Sequence, residues 1–179
     1  MNKKTKPTRF IAEAAVIAAL YAALTCILAP ISYGSVQFRV SEALTILPVL
    51  TPAAIPGLTI GCLIANFSSP FGIVDVVLGT LATFLASICT MATRNIRFKN
   101  LPLLSAFFPV LFNAVIVGLD ILIAVPDAPH GFSFSDFTFK AYLINMLTVG
   151  LGEIVVCYLL GVPLCKALEK TKLFPNSQK

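Results

Sequence analysis

Charge is scarce in this sequence. Only 12% of its 179 residues are charged, 58% are hydrophobic, and mean hydropathy is +0.92. A globular domain carries about a quarter charged residues, so a water-soluble fold is excluded, and with it a soluble catalytic domain. Histidine is nearly absent: the single His130 lies between Pro129 and Gly131, has no ligand partner close in sequence, and is expected to be solvated. Cys26, Cys62, Cys89, Cys157 and Cys165 lack CxxC spacing and fall inside or at the ends of apolar runs, so they read as packing residues, not metal or redox centres. The chain has no GxxxxGK[ST] phosphate loop, no HExxH and no GxSxG. It is therefore expected to be no enzyme, to carry no cofactor, and to depend on other subunits for any ATP-driven work. No convincing internal repeat is present, which weakens the case for a carrier built from two inverted halves.

What is present is long apolar runs capped by base. Lys3, Lys4, Lys6 and Arg9, then Arg94, Arg97 and Lys99, then Lys166, Lys170 and Lys172 flank such runs. The positive-inside rule produces this pattern, whereas a nucleic-acid surface needs a continuous basic face. The opening KKTKPTR resembles the start of a signal peptide. The run after it is about as long as a full span and meets Pro30 instead of a cleavage site, so it is expected to stay as the first helix.

The pattern predicts helices over residues 11–29, 40–50, 57–66, 73–93, 101–125 and 142–164. The second and third are too short to cross upright, so they are expected to dip into the membrane or to continue through proline-distorted turns. Placing every basic segment in the cytoplasm requires an even number of spans. The expected fold is thus an all-α integral membrane protein with six transmembrane helices and both termini cytoplasmic. Residues 1–179 form one membrane domain in this reading, with a basic N-terminus 1–10, a bundle 11–165 and a basic tail 166–179. ISYGSVQFRVSE, NFSSPFG and the His130 loop then lie outside.

An ionisable group at the bilayer centre costs about 2.5 to 3.5 kcal/mol on insertion scales, and here such groups gather. Glu42, Asn66, Asp75, Asp120 and Asn145 fall in the outer half of five segments, with Asn113 and Glu153 nearer mid-membrane. Asp75, Gly79, Ala82, Thr83 and Ala86 share one face of their helix, as do Asn113 and Asp120 of theirs. Interhelical hydrogen bonding accounts for any one of these, but for the set a binding site is the better reading. Arg39 and Glu42, three apart, either pair at a helix start or belong to an outer lid in which Gln37 and Arg39 close over a pocket walled by Glu42. The first helix carries two small-residue stripes, Ala14, Ala18, Ala22 and Ala15, Ala19, Ala23, suited to close approach of another helix, either within the bundle or on a partner.

The segments YGSVQFRVSEALTILPV and GLTIGCLIANFSSPFGIVDVVLGTLATFLA, with the six-span layout, resemble the QueT family over nearly the whole chain. That family is proposed to import queuosine precursors as substrate-binding S components of energy-coupling factor (ECF) transporters. The resemblance implies an S-component-like bundle in the cell membrane with a pocket near the outer face. It also implies partners, a T subunit docked on the alanine-rich first helix (Ala14, Ala15, Ala18, Ala19, Ala22) and two ATPase subunits. The implied substrates are 7-deazaguanines such as the 7-cyano or 7-aminomethyl form. The chemistry of such a ligand suggests Glu42 for the N1–H and amine edge, with Glu153 as the alternative. Asn66 would serve as O6 donor, Phe38, Phe67 or Arg39 as stacking surfaces, and Asp75, or Asp120 in reserve, would face the 7-substituent. The rival is a stand-alone or homodimeric carrier of a nucleobase-like or vitamin-like solute, coupled to protons through Asp75 or Glu153.

Overall fold

The computed structural model describes residues 7–32, 38–124, 133–134 and 137–171. Its helices are α1 (Pro7–Ile27), α2 (Ala29–Ser32), α3 (Val40–Val49), α4 (Ala54–Asn66), α5 (Ile73–Ala92), α6 (Leu103–Ile123) and α7 (Phe139–Lys170). Among the described residues α1, α5, α6 and α7 are long and apolar enough to cross a membrane, while α3 and α4 are shorter apolar helices.

Side-chain burial runs opposite to that of a soluble protein. On α5 the bulky Ile73, Val77, Leu81, Phe84 and Ile88 are exposed at intervals of three or four, while Asp75, Gly79, Ala82, Thr83, Ala86, Ser87 and Thr90 are buried. α6 repeats this arrangement, with Leu104, Phe107, Leu111 and Val115 outward and Ser105, Ala106, Asn113, Ala114 and Asp120 inward. Such a surface suits hydrocarbon, where the hydrophobic effect cannot drive helices together and small residues must provide the close fit.

α1 and α4 show that fit. A Cβ added at Gly57 would lie 2.8 Å from the Ala14 carbonyl oxygen, and one at Gly61 would lie 2.8 Å from that of Ala18. The Gly57-x-x-x-Gly61 spacing therefore seats α4 on the Ala14, Ile17, Ala18, Tyr21 face of α1. This divides the paired alanine stripes. Ala18 is buried and Ala14 and Ala22 half-buried within the protein, while Ala15, Ala19 and Ala23 remain exposed. Of the stripes expected to dock a partner, the first row is therefore packed on the glycines of α4, and the second is the row left exposed.

α3 is a 3₁₀ helix containing Pro48, and Ser41, Glu42, Ala43 and Thr45 through Val49 are all buried. So long a 3₁₀ stretch is uncommon, and its wider rise of about 2.0 Å per residue extends α3 to about 20 Å. Its poorer hydrogen bonding is tolerable at membrane depth because protein surrounds it. Pro109 inside α6 cannot donate to the Ser105 carbonyl four residues earlier. Thr90 supplies that bond across the α5–α6 contact at 3.0 Å. Both α6 and α7 loosen into π turns, at Asn113–Val117 and Val155–Gly161, beside the polar residues Asn113 and Glu153. π turns cluster at functional positions.

Two contacts order the ends. Arg97, in the loop after α5, pairs with Glu169 near the end of α7 at 2.8 Å. Thr51, between α3 and α4, donates to Glu13 near the start of α1 at 2.8 Å. The helix predicted from residue 57 begins at Ala54, and the last helix, predicted to end near residue 164, runs to Lys170, so Lys166 and Lys170 lie on α7.

Candidate functional site

Arg39, Glu42, Asn66, Asp75, Asn113, Asp120 and Glu153 are each no more than 4% exposed, although they come from separate segments. α3 begins with Arg39 as its extended cap residue (φ −84°, ψ 90°). Arg39 Nη2 donates to Asp75 Oδ2 at 3.4 Å, from the first turn of α5. The sequence left Arg39 either paired with Glu42 or in an outer lid; its ion pair here joins α3 to α5. Glu42 Oε1 instead accepts the Tyr21 hydroxyl of α1, while Oε2 makes no hydrogen bond among the described residues.

Around Glu42 the backbone and side chains of three helices close in. Thr45 donates to the Glu42 carbonyl at 2.5 Å, and Thr25 of α1 and Ser41 share a hydrogen bond of 2.6 Å. From α7, Cys157 Sγ lies 3.5 Å from Glu153 Oε2 and 3.8 Å from the Glu42 carbonyl, which brings the two glutamates side by side. The Asn113 amide of α6 lies beside both carboxyls. Asp120 and Asp75 face each other within hydrogen-bonding reach, carboxyl to carboxyl. Among the described residues the layer thus holds two facing carboxyl pairs, Glu42 with Glu153 and Asp75 with Asp120, and one guanidinium.

Asn66 closes the break between α4 and α5. Its Nδ2 donates to the Asp75 carbonyl at 2.9 Å and lies 3.5 Å from Cys62 Sγ, which also accepts from Thr83 at 3.3 Å. The side-chain atom of Asn66 left without a partner is the acceptor Oδ1, so the predicted role as O6 donor is replaced by one as a helix clamp. Gly79 makes the clamp possible: a Cβ there would lie 2.6 Å from both Asn66 Nδ2 and Asp75 Oδ1. Gly79→Ala is expected to cost about 1 to 3 kcal/mol by overpacking despite alanine's better helix propensity. The check is the thermal unfolding midpoint in detergent, which should fall; a raised midpoint would mean that the clamp shifts freely.

Of the other predicted residues, Phe38 is half-buried next to Arg39, and Phe67 is 71% exposed, which removes it from the buried layer. Asn145 is half-buried, and its carbonyl accepts from Thr148 at 3.0 Å. Gln37, and with it the lid, lies outside the described residues, as does His130. Sequence reasoning missed Tyr21, Thr25, Cys62 and Cys157. The spacing of Ile17, Ala18, Tyr21 and Thr25 on one face of α1 was the available signal for the first two.

Exposed apolar stripes around an interior layer of carboxyls define a multi-pass helical membrane protein with an internal polar site. A model of the QueT transporter family matches residues 11–170. The chain belongs to that family. Among curated proteins it is similar to "Queuosine precursor transporter QueT" of Lactococcus lactis subsp. cremoris (strain MG1363), 47% identical over 85 residues, 46% of this chain and 49% of that protein. The matched stretch thus spans about half the length of that relative. No solved structure matches the chain.

Proposed function

We propose that this chain is the substrate-binding membrane subunit of an ECF-type importer of queuosine precursors, with a 7-deazaguanine as ligand. The observation that carries the reading is Glu42. It is buried, oriented by Tyr21 and flanked by Glu153 and Asn113, and its Oε2 has no hydrogen-bond partner among the described residues. A guanine edge offers an N–H and an exocyclic amine to such a carboxylate. Phe38 or Arg39 would cover the flat face of the base. The family and the name of the Lactococcus relative support the substrate class.

Energy would come from partners, a T subunit and two ATPase subunits, because the chain has no phosphate loop. The outward row Ala15, Ala19, Ala23 is the surface that would meet the T subunit. Ala19→Phe should abolish ATP-dependent uptake while leaving ligand binding by the purified chain unchanged within about twofold, since small faces permit close helix approach. Lost binding would show that this row serves the bundle.

In the membrane, α1, α3, α4, α5, α6 and α7 would make six crossings, with both termini in the cytoplasm of the cell. Arg9, Arg94, Arg97, Lys99, Lys166 and Lys170 belong to the end tied by Arg97–Glu169, and Lys140 starts α7 at the other. The positive-inside rule assigns the basic end to the cytoplasm. A cysteine introduced at Ser133 should react with an impermeant reagent outside cells, and one at Asn95 should not. The reverse pattern would invert the site as well. The two facing carboxyl pairs also suit a proton-coupled carrier working alone, which would accumulate substrate without ATPase subunits.

A further inference from the structure

We infer that the basic end of α7 is a binding site for one anionic phospholipid, whose headgroup is held by Lys166 and Lys170 and whose acyl chain lies along the apolar face of the same helix. This site is separate from the polar layer inside the bundle.

In the last turns of α7, Val162 and Cys165 are buried, while Pro163, Lys166 and Lys170 are exposed and, at intervals of three and four, share one outward face. Two ammonium groups four residues apart on a helix repel each other. Glu169, three residues after Lys166, would be the local partner, but it is drawn to Arg97 of the α5–α6 loop at 2.8 Å. It is the one carboxylate among the described residues of 94–101 and 162–171, where five side chains are basic. Neither Lys166 nor Lys170 has an ion pair among the described residues. An anion placed between the two ammonium groups relieves their repulsion and pairs with both.

The apolar part of the ligand follows from the preceding turns. Leu159 and Leu160 are 67% and 46% exposed, and a rise of about 1.5 Å per residue puts them about 10 Å from Lys166 along the helix. The face thus passes from apolar to basic over about the depth at which acyl chains give way to headgroups. Lysine suits that boundary, because its stem lies on apolar surface while its ammonium reaches the phosphate. A nucleic acid or an acidic protein would supply the charge but nothing for the two leucines.

The neighbouring loop has the same two-sided character. Phe98 and Leu101 exchange backbone hydrogen bonds of 3.0 and 2.9 Å around Lys99 and Asn100, both left-handed at φ 50° and 62°. This tight turn leaves Ile96 and Phe98 exposed and carries the Lys99 ammonium 5.8 Å from the Phe98 ring centroid. Arg94 and Lys99, also without an ion pair among the described residues, add positive potential at this end. Each such residue near the surface favours anionic lipid.

The test is native mass spectrometry of the purified full-length chain in neutral detergent, titrated with phosphatidylglycerol or with phosphatidylcholine of the same acyl chains. The first phosphatidylglycerol should bind at least about tenfold more tightly than phosphatidylcholine. The double variant Lys166→Gln, Lys170→Gln should bring the two within about threefold by weakening the anionic lipid alone. Lys140→Gln, exposed at the opposite end of α7, should keep the parent's preference. Equal affinities in the parent, or a preference that survives in the double variant, would overturn the inference. An equal loss in Lys140→Gln would overturn it too, by showing that only overall charge matters. Excess inorganic phosphate should leave the lipid bound; full displacement would mean a site for the anion without its chain, against the inference.

Discussion

Replacing Glu42 by glutamine is expected to weaken binding of every 7-deazaguanine by at least about tenfold, the change that 1.4 kcal/mol produces. The carboxylate presents acceptors only, and each oxygen has two lone pairs, so Oε1 can hold the Tyr21 hydroxyl and still face a ligand donor. Glutamine keeps the shape but turns one acceptor into a donor, which then meets a ligand N–H head on. A site built to pair with polar groups on its ligand loses most when such a group is left unpaired. The loss should be the same for the aminomethyl and cyano ligands, because both carry the guanine edge. Isothermal titration of the purified variant checks this. Parent-like affinity would move the edge to Glu153, the carboxyl next to Glu42.

Arg39→Met is expected to do the widest damage. Arg39 is the one guanidinium among the buried layer's described residues, and its loss leaves Asp75 and Asp120 facing each other without it. Breaking a buried pair by removing one partner costs about 3 to 5 kcal/mol, largely from the stranded charge. The thermal midpoint in detergent should fall sharply and binding should be lost. Adding Asp75→Leu to the same chain should recover much of the midpoint, because a buried ion pair replaced by apolar groups is often neutral. Binding should not return with it. A single variant with the parent's midpoint would show that the Arg39–Asp75 contact contributes little.

Much of this arrangement was legible in the residues. Helical phase alone put Asp75, Gly79, Ala82, Thr83 and Ala86 on one face of α5, and all five are buried. Periodicity carries that information because a lipid-facing helix must separate large apolar residues from small and polar ones. Pairings between helices were not legible. Arg39 is 36 residues from Asp75, and Tyr21 is 21 from Glu42, so spacing within one segment could offer only the local Arg39–Glu42 pair, as one of two readings. The 3₁₀ geometry of α3 also escaped, since a buried apolar run containing proline has no distinguishing period. The two alanine rows of α1 were visible, but only the Gly57-x-x-x-Gly61 pair of α4 decides which row is covered.

Uptake of labelled 7-aminomethyl-7-deazaguanine into proteoliposomes tests the central claim most directly. The chain alone should bind the ligand at the membrane without accumulating it, and accumulation should begin when the T subunit, the two ATPase subunits and ATP are added. Accumulation by the chain alone, driven by a proton gradient and indifferent to ATP, would contradict the account and establish a carrier.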